Sequence, residues 1–307
     1  MKNGRWLSYI LFGLFCFCRQ ASSPNPFLEP DDPKEKFRNY WESEKAEIDS
    51  YELSQVRYGE NHKGKAILIF VTEDFSKTRQ VKLDRPQEDE KDGTKVLKLN
   101  FVKNFVTGIY AYSMTLSVFT PLDAETYPRS FKETMSSQEW CGNVFTQINL
   151  ERDRFRVESY SYFEEEGDRK FYLKKELLED ELWTRMRIDP DRIPVGNLNL
   201  IPGLFHVRLN HKELKPLRAE IAKQKQEDSI VFTIRYLEEE RTFKIRIESR
   251  FPHKILAWEE TFRDLNGRLM TTFAALESSV LSDYWNQNGN EFRSQRKELK
   301  LPNASIF

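Results

Sequence analysis

From Ala46 onward most of the chain alternates between apolar and polar side chains with a period of two, and this feature constrains the fold more than any other. Phe243, Ile245 and Ile247 stand against Thr242, Lys244, Arg246 and Glu248. Successive side chains of a strand point to opposite faces, so such a segment offers one face to a core and one to water. The same period recurs in 95–102, through Leu97, Leu99 and Phe101, and in 154–163, through Phe155, Val157 and Phe163. In 107–120 Tyr110, Tyr112, Met114, Leu116 and Val118 share one parity and the other is smaller and more hydroxylated. Further strands are expected over 48–58, 66–74, 79–84, 139–150, 200–209, 229–237, 254–262 and 268–277.

Asn266-Gly267 between two such runs is the strongest hairpin signal, because a type I′ turn needs positive φ at both central residues. Antiparallel neighbours follow. Helical spacing enters twice. Phe37, Tyr40, Trp41 and Glu44 predict a short helix over 37–45, and Leu178, Leu182 and Met186 predict another over 174–187, where Glu181 and Arg185 form an i,i+4 pair before Pro190 and Pro194 end it. The fold expected is mainly β. One long antiparallel meander forms a curved sheet or half-open barrel, with a short N-terminal helix and one inserted helix near 174–187. No repeat or central linker divides it, so 37–307 reads as a single β-rich domain.

Ahead of it, Lys2 and Arg5 precede the apolar run 6–18, which reads as an export leader over 1–18, too short for the roughly 20 residues of a bilayer-spanning helix. The Ser-, Pro- and Asp-rich stretch that follows reads as a flexible tether over 19–36. Cys18, between run and tether, is where a bacterial lipoprotein carries its acyl anchor, although Phe17 stands where a small residue is usual. The expected location is therefore outside the cytoplasm, in the periplasm or at the outer membrane, with the N-terminus holding the chain to a membrane. With the leader removed only Cys141 remains, so no intrachain disulfide forms and stability rests on packing.

Lys and Arg number 48 against 49 Asp and Glu, which gives no electrostatic case for nucleic acid. No cofactor motif is present. His62, His206, His211 and His253 lack metal-ligand spacing, and no metal site is expected. The acidic runs Glu164, Glu165, Glu166, Asp168 and Glu179, Asp180, Glu181 read as solvated faces. Cys141 beside Glu139 carries two readings, inert packing or, as the alternative catalytic pair, a nucleophile and its base. The aromatic supply points instead to a binding surface: Tyr110, Tyr112, Met114, Trp140, Phe145, Phe205 and Trp258 are the candidate ligand-binding residues on a concave face, and they equally suit a closed core.

The blocks KAEIDSYELSQVRYGE, LIFVTEDFS, SSQEWCG, YFEEEGD, LLEDELW, IPGLF and FPHKILAWEE, spread over nearly the whole length, resemble an exported family of the Bacteroidetes type, seen as lipoproteins. Some such proteins carry the label of Maf-type septum formation inhibitors. Maf pyrophosphatases have Ser-x-Ser-Pro-Arg-Arg near the N-terminus, and 21–26 here, ASSPNP, lacks the arginine pair. The long strands ending in FPHKILAWEE and a final hairpin also resemble the domain of unknown function DUF3108 and, by analogy, the half-barrels of the LolA and LolB lipoprotein carriers, which shelter acyl chains. What the resemblance implies is a non-enzymatic cell-envelope carrier for an apolar or lipid-like ligand. The alternatives are an envelope structural or interaction protein without a small ligand, and a hydrolase or transferase using Cys141 and Glu139.

Overall fold

The computed structural model describes residues 32–264 and 266–302. The leader, Cys18 and most of the tether lie outside them. The alternating segments form one sheet of fifteen strands. In its middle is β1 (Ala46–Arg57). On one side β2 (Glu60–Ser76), β3 (Gly93–Thr107), β4 (Tyr110–Pro121), β5 (Lys132–Glu139), β6 (Gly142–Glu151), β7 (Arg154–Ser161) and β8 (Arg169–Lys174) follow outward in chain order. The chain then reappears on the far edge as β9 (Leu177–Leu178) and works back through β10 (Gly196–Ile201), β11 (Leu217–Lys225), β12 (Ser229–Tyr236), β13 (Arg241–Glu248) and β14 (Ile255–Arg263) to β15 (Leu269–Ser282), which pairs with β1.

Only Lys175 and Glu176 separate β8 from β9, so the two outer edges of the sheet come within about 11 Å at that point, the reach of three Cα–Cα steps. The sheet is therefore rolled, as the pattern predicts, and its edges do not pair. A register shift between Ser50 and Tyr51 in the β1–β15 ladder and another after Arg246 in β13–β14 add local bending. Every ladder is antiparallel except β9–β10, where Leu177 lies beside Leu200 and Leu178 beside Ile201 in parallel. A parallel pair needs a crossover. Here α2 (Leu182–Ile188) supplies it.

The predicted parities hold. Leu97, Leu99 and Phe101 of β3, and Tyr112, Met114, Leu116 and Val118 of β4, are buried on the concave face, whereas Lys98, Asn100, Ser113 and Ser117 are only partly covered. Into that concavity the chain inserts α2 and α3 (Leu204–Leu209). Trp183 of α2 meets Phe101, Phe243 and Trp258 edge-on, with ring centroids 5.4, 5.6 and 5.2 Å away. Each such pair contributes about 0.5–1.5 kcal/mol beyond its buried area. Arg187 of the same helix is fully buried between Glu47 and Asp49 of β1, with one Nη 2.5 Å from Glu47 Oε1 and 3.7 Å from Asp49 Oδ2, over the ring of Phe70. The hydroxyl of Tyr40 donates to the other oxygen of Glu47. That contact docks α1 (Pro33–Trp41), which begins at the Asp32 cap rather than at Phe37.

Three expectations need correction. The helix expected over 174–187 shrinks to 182–188, because Leu177 and Leu178 are drawn into the parallel pair with β10. The strand expected over 200–209 stops at Ile201: Pro202 removes a ladder donor, and Gly203 opens α3 where a side chain could not fit, its Cβ position lying 2.5 Å from Glu179 Oε1. Residues 79–84 contribute a single bridge, Phe75 to Lys82, instead of a strand.

Candidate functional site

The two halves of the concavity are filled differently. Large aromatics from β3, β13 and β14 close around Trp183 in one half. Opposite, the inward side chains of β5, β6 and β7 nearest α3 are Met135, Val144, Thr146, Val157 and Ser159, of which Ser159 keeps the most exposure. A cavity of about 530 Å³ remains between them and α3, within the roughly 300–1,000 Å³ range of small-molecule sites. Leu204 and Val207 of α3 form its wall, and Phe163 and Phe171 flank it from the β7–β8 side.

Its mouth is polar. The β7–β8 loop brings Glu164, Glu165, Glu166 and Arg169 against Arg208, His211 and Lys212 at the end of α3. Glu166 Oε1 accepts from Arg208 Nη1 at 3.2 Å and lies 2.8 Å from His211 Nδ1. The guanidinium of Arg208 also lies over the ring of Phe163, 4.4 Å from its centroid. An apolar floor with a charged entrance can bury a greasy chain and leave its polar end at the mouth.

The seven residues expected to line the concave face do not come together around this cavity. Tyr112, Met114, Phe205 and Trp258 are core: Tyr112 stacks on Phe105 at 4.8 Å, Phe205 meets Phe101 at 5.2 Å, and Trp258 packs on Tyr51 at 4.8 Å. Phe145 has the parity opposite to the buried Val144 and points to the convex side. Tyr110 and Trp140 sit at neighbouring hairpin ends with ring centroids 6.2 Å apart, and Trp140 is 73% exposed. The half-buried side chains that border the cavity are instead Ser159, Phe163, Phe171 and Val207.

Cys141 is exposed in the β5–β6 turn, contrary to the packing reading. Glu139 accepts a hydrogen bond from its backbone N–H at 2.6 Å, and the same carboxylate pushes the thiol pKa up. A nucleophilic thiolate needs the opposite, a nearby cation. No histidine hydrogen-bonds Cys141 among the described residues.

The run Glu179–Asp180–Glu181 is buried instead of solvated. Glu179 pairs with Arg241, Asp180 Oδ2 accepts from Leu204 N–H at 2.7 Å and fixes the start of α3, and Glu181 Oε2 accepts from Ser130 N–H at 2.6 Å. Burial, then the charge of Glu179, pushes Asp180 up to about 7, and burial draws Lys103 down to about 8. None of these groups lines the cavity; they lock α3 behind it. His206, buried on α3, binds Glu260 through Nδ1 at 2.6 Å. Among the described residues no cluster of three or more His, Cys, Asp or Glu side chains is arranged to hold a metal ion.

Sequence reasoning missed Arg208 and His211 because 200–209 reads as a strand. The signal was present: Pro202-Gly203 breaks the run, and Leu204, Val207, Arg208 and His211 then follow at helical spacings. No protein-family model, curated protein or solved structure matches the chain.

Proposed function

We propose that the protein is a non-enzymatic binding or carrier protein for an apolar, lipid-like ligand, exported to the cell envelope and held to a membrane through Cys18. The observation that carries the reading is the apolar-floored cavity between β5–β8 and α3, left open in a roll whose other half is packed solid. The guest therefore lies against Ser159, Phe163, Phe171 and Val207, the half-buried part of the lining, not against the aromatics of β3 and β14.

Native mass spectrometry of the purified protein, with titration of an apolar fluorescent probe, tests this. A co-purifying lipid or saturable probe binding, abolished by Val207→Phe, is the expected result. A chain that flies without added mass and leaves the probe unbound overturns it. Cys18→Ala separately tests the anchor and is expected to move the protein out of the membrane fraction.

A second reading, an envelope interaction protein, draws support from the exposed hairpin ends. Ile109 is 83% exposed, and Trp140 and Tyr162 are 73% exposed, on three successive connections at one end of the sheet. Co-precipitation that depends on Trp140 and Tyr162, with an empty cavity, favours it instead.

A further inference from the structure

We propose that the cavity selects ligands whose apolar chain ends in a carboxylate, and that Arg208 receives that head group. This rests on the cavity being an apolar-ligand site. Among the charged groups at the mouth, Arg208 is the one withdrawn from water: its side chain is 4% exposed, against 26% for Glu166 and 38% for His211. One Nη donates to Glu166 and the ring of Phe163 covers a face of the guanidinium. Its Nε is buried with no hydrogen-bond partner among the described residues.

A guanidinium carries five N–H donors, and a buried donor left unpaired is costly. Nη2, which also makes no hydrogen bond among the described residues but is not sealed off, is the donor that meets a carboxylate oxygen, and such charge-assisted bonds are the strong ones. Arg169, on the same rim, is exposed, donates to the Glu165 carbonyl and acts electrostatically on Glu213, so the assignment rests on Arg208. Glu166 already serves three partners, Arg208, His211 and Ser161, so it offers little to a cationic guest. Glu164 and Glu165 are exposed and lie in water, where their repulsion of an anion is screened. Lys212 pairs with Glu239 and Glu213 with Lys215, so the remaining rim charges are balanced.

Isothermal titration of the full protein with dodecanoate, dodecanol and dodecylamine tests the proposal. Dodecanoate is expected to bind about tenfold or more tightly than dodecanol, with dodecylamine weakest. Arg208→Met is expected to bring dodecanoate down to the level of dodecanol, and a cooperative urea transition shows that the variant is folded. Glu166→Gln removes a competitor for the guanidinium and is expected to tighten dodecanoate several-fold, so the proposal stays testable if Arg208→Met does not fold. Equal binding of dodecanoate and dodecanol, a preference for dodecylamine, or an Arg208→Met protein that keeps the carboxylate preference overturns the head-group assignment and leaves the apolar site standing. Failure of all three to bind removes the site and the assignment together.

Discussion

Arg241 holds Glu179 with both Nη atoms, each 2.6 Å from a different carboxylate oxygen. The Nε of the same guanidinium donates to Glu260 at 2.7 Å, and Glu260 in turn binds His206 of α3. The pair thereby ties β13 and β14 to the segment after β9 and to the helix that walls the cavity.

Removing one partner strands the other in a dry place. Arg241→Met is expected to cost about 3–5 kcal/mol, because Glu179 and Glu260 are left without their cation. Adding Glu179→Gln to that background is expected to cost much less than Glu179→Gln alone. Urea unfolding of the four proteins reads both numbers, and strictly additive losses would show that the pair does not act as a unit.

The Glu47–Arg187–Asp49 group predicts a pH dependence. Burial, reinforced by the charge of Glu47, pushes Asp49 up to about 8. Burial also works on Glu47, but Arg187 outweighs it and holds that carboxyl down to about 2. An unfolded Asp titrates near ~3.9, so between there and the folded value the folded chain binds the extra proton. The stability owed to Asp49 is therefore complete below ~3.9 and is lost as pH rises through the folded value. That owed to Glu47 is present above its unfolded value near ~4.3 and is lost as pH falls through the folded one. Asp49→Asn is expected to flatten the decline of the urea midpoint between about pH 4 and the folded value of about 8. Parallel profiles for wild type and variant would remove this assignment.

Trp183 is the hub of the filled half of the roll. Trp183→Ala is expected to cost about 3–5 kcal/mol and to leave a void beside Phe101, Phe243 and Trp258. Val207→Phe, at a half-buried position on the cavity wall, is expected to stay below that loss. Thermal unfolding of the two variants distinguishes a packed half from an open one; equal losses would contradict the division.

Cys141 is expected to react with alkylating reagents in the folded protein, because it is exposed, yet more slowly than an unperturbed thiol. Glu139→Gln removes the charge that raises the thiol pKa and is expected to speed the reaction near neutral pH. Cys141→Ser is expected to change stability by less than about 0.5 kcal/mol. A slower reaction in Glu139→Gln would reverse the sign of the electrostatic argument.

The sheet was legible because alternation is a local property: Phe243, Ile245 and Ile247 state their face without reference to any neighbour. Which strands neighbour each other is not local, and nothing in Leu177 and Leu178 announces a parallel pairing with Leu200 and Ile201. The acidic run 179–181 misled for the same reason, since its charges are balanced by Arg241, Arg129 and Arg185, two of them far away in the chain. The cavity was not legible, because its half-buried walls, Ser159, Phe163, Phe171 and Val207, come from three separate segments that no local pattern brings together.

The pairing of β1 with β15 sets Ala46 against Ser282, near opposite ends of the described chain. Until β15 is made, the first strand has only one neighbour, and a stretch of bare amides and carbonyls faces outward through most of synthesis. Such late, long-range closure slows folding. A truncation before β15 would turn the same unpaired strand into a template for aggregation.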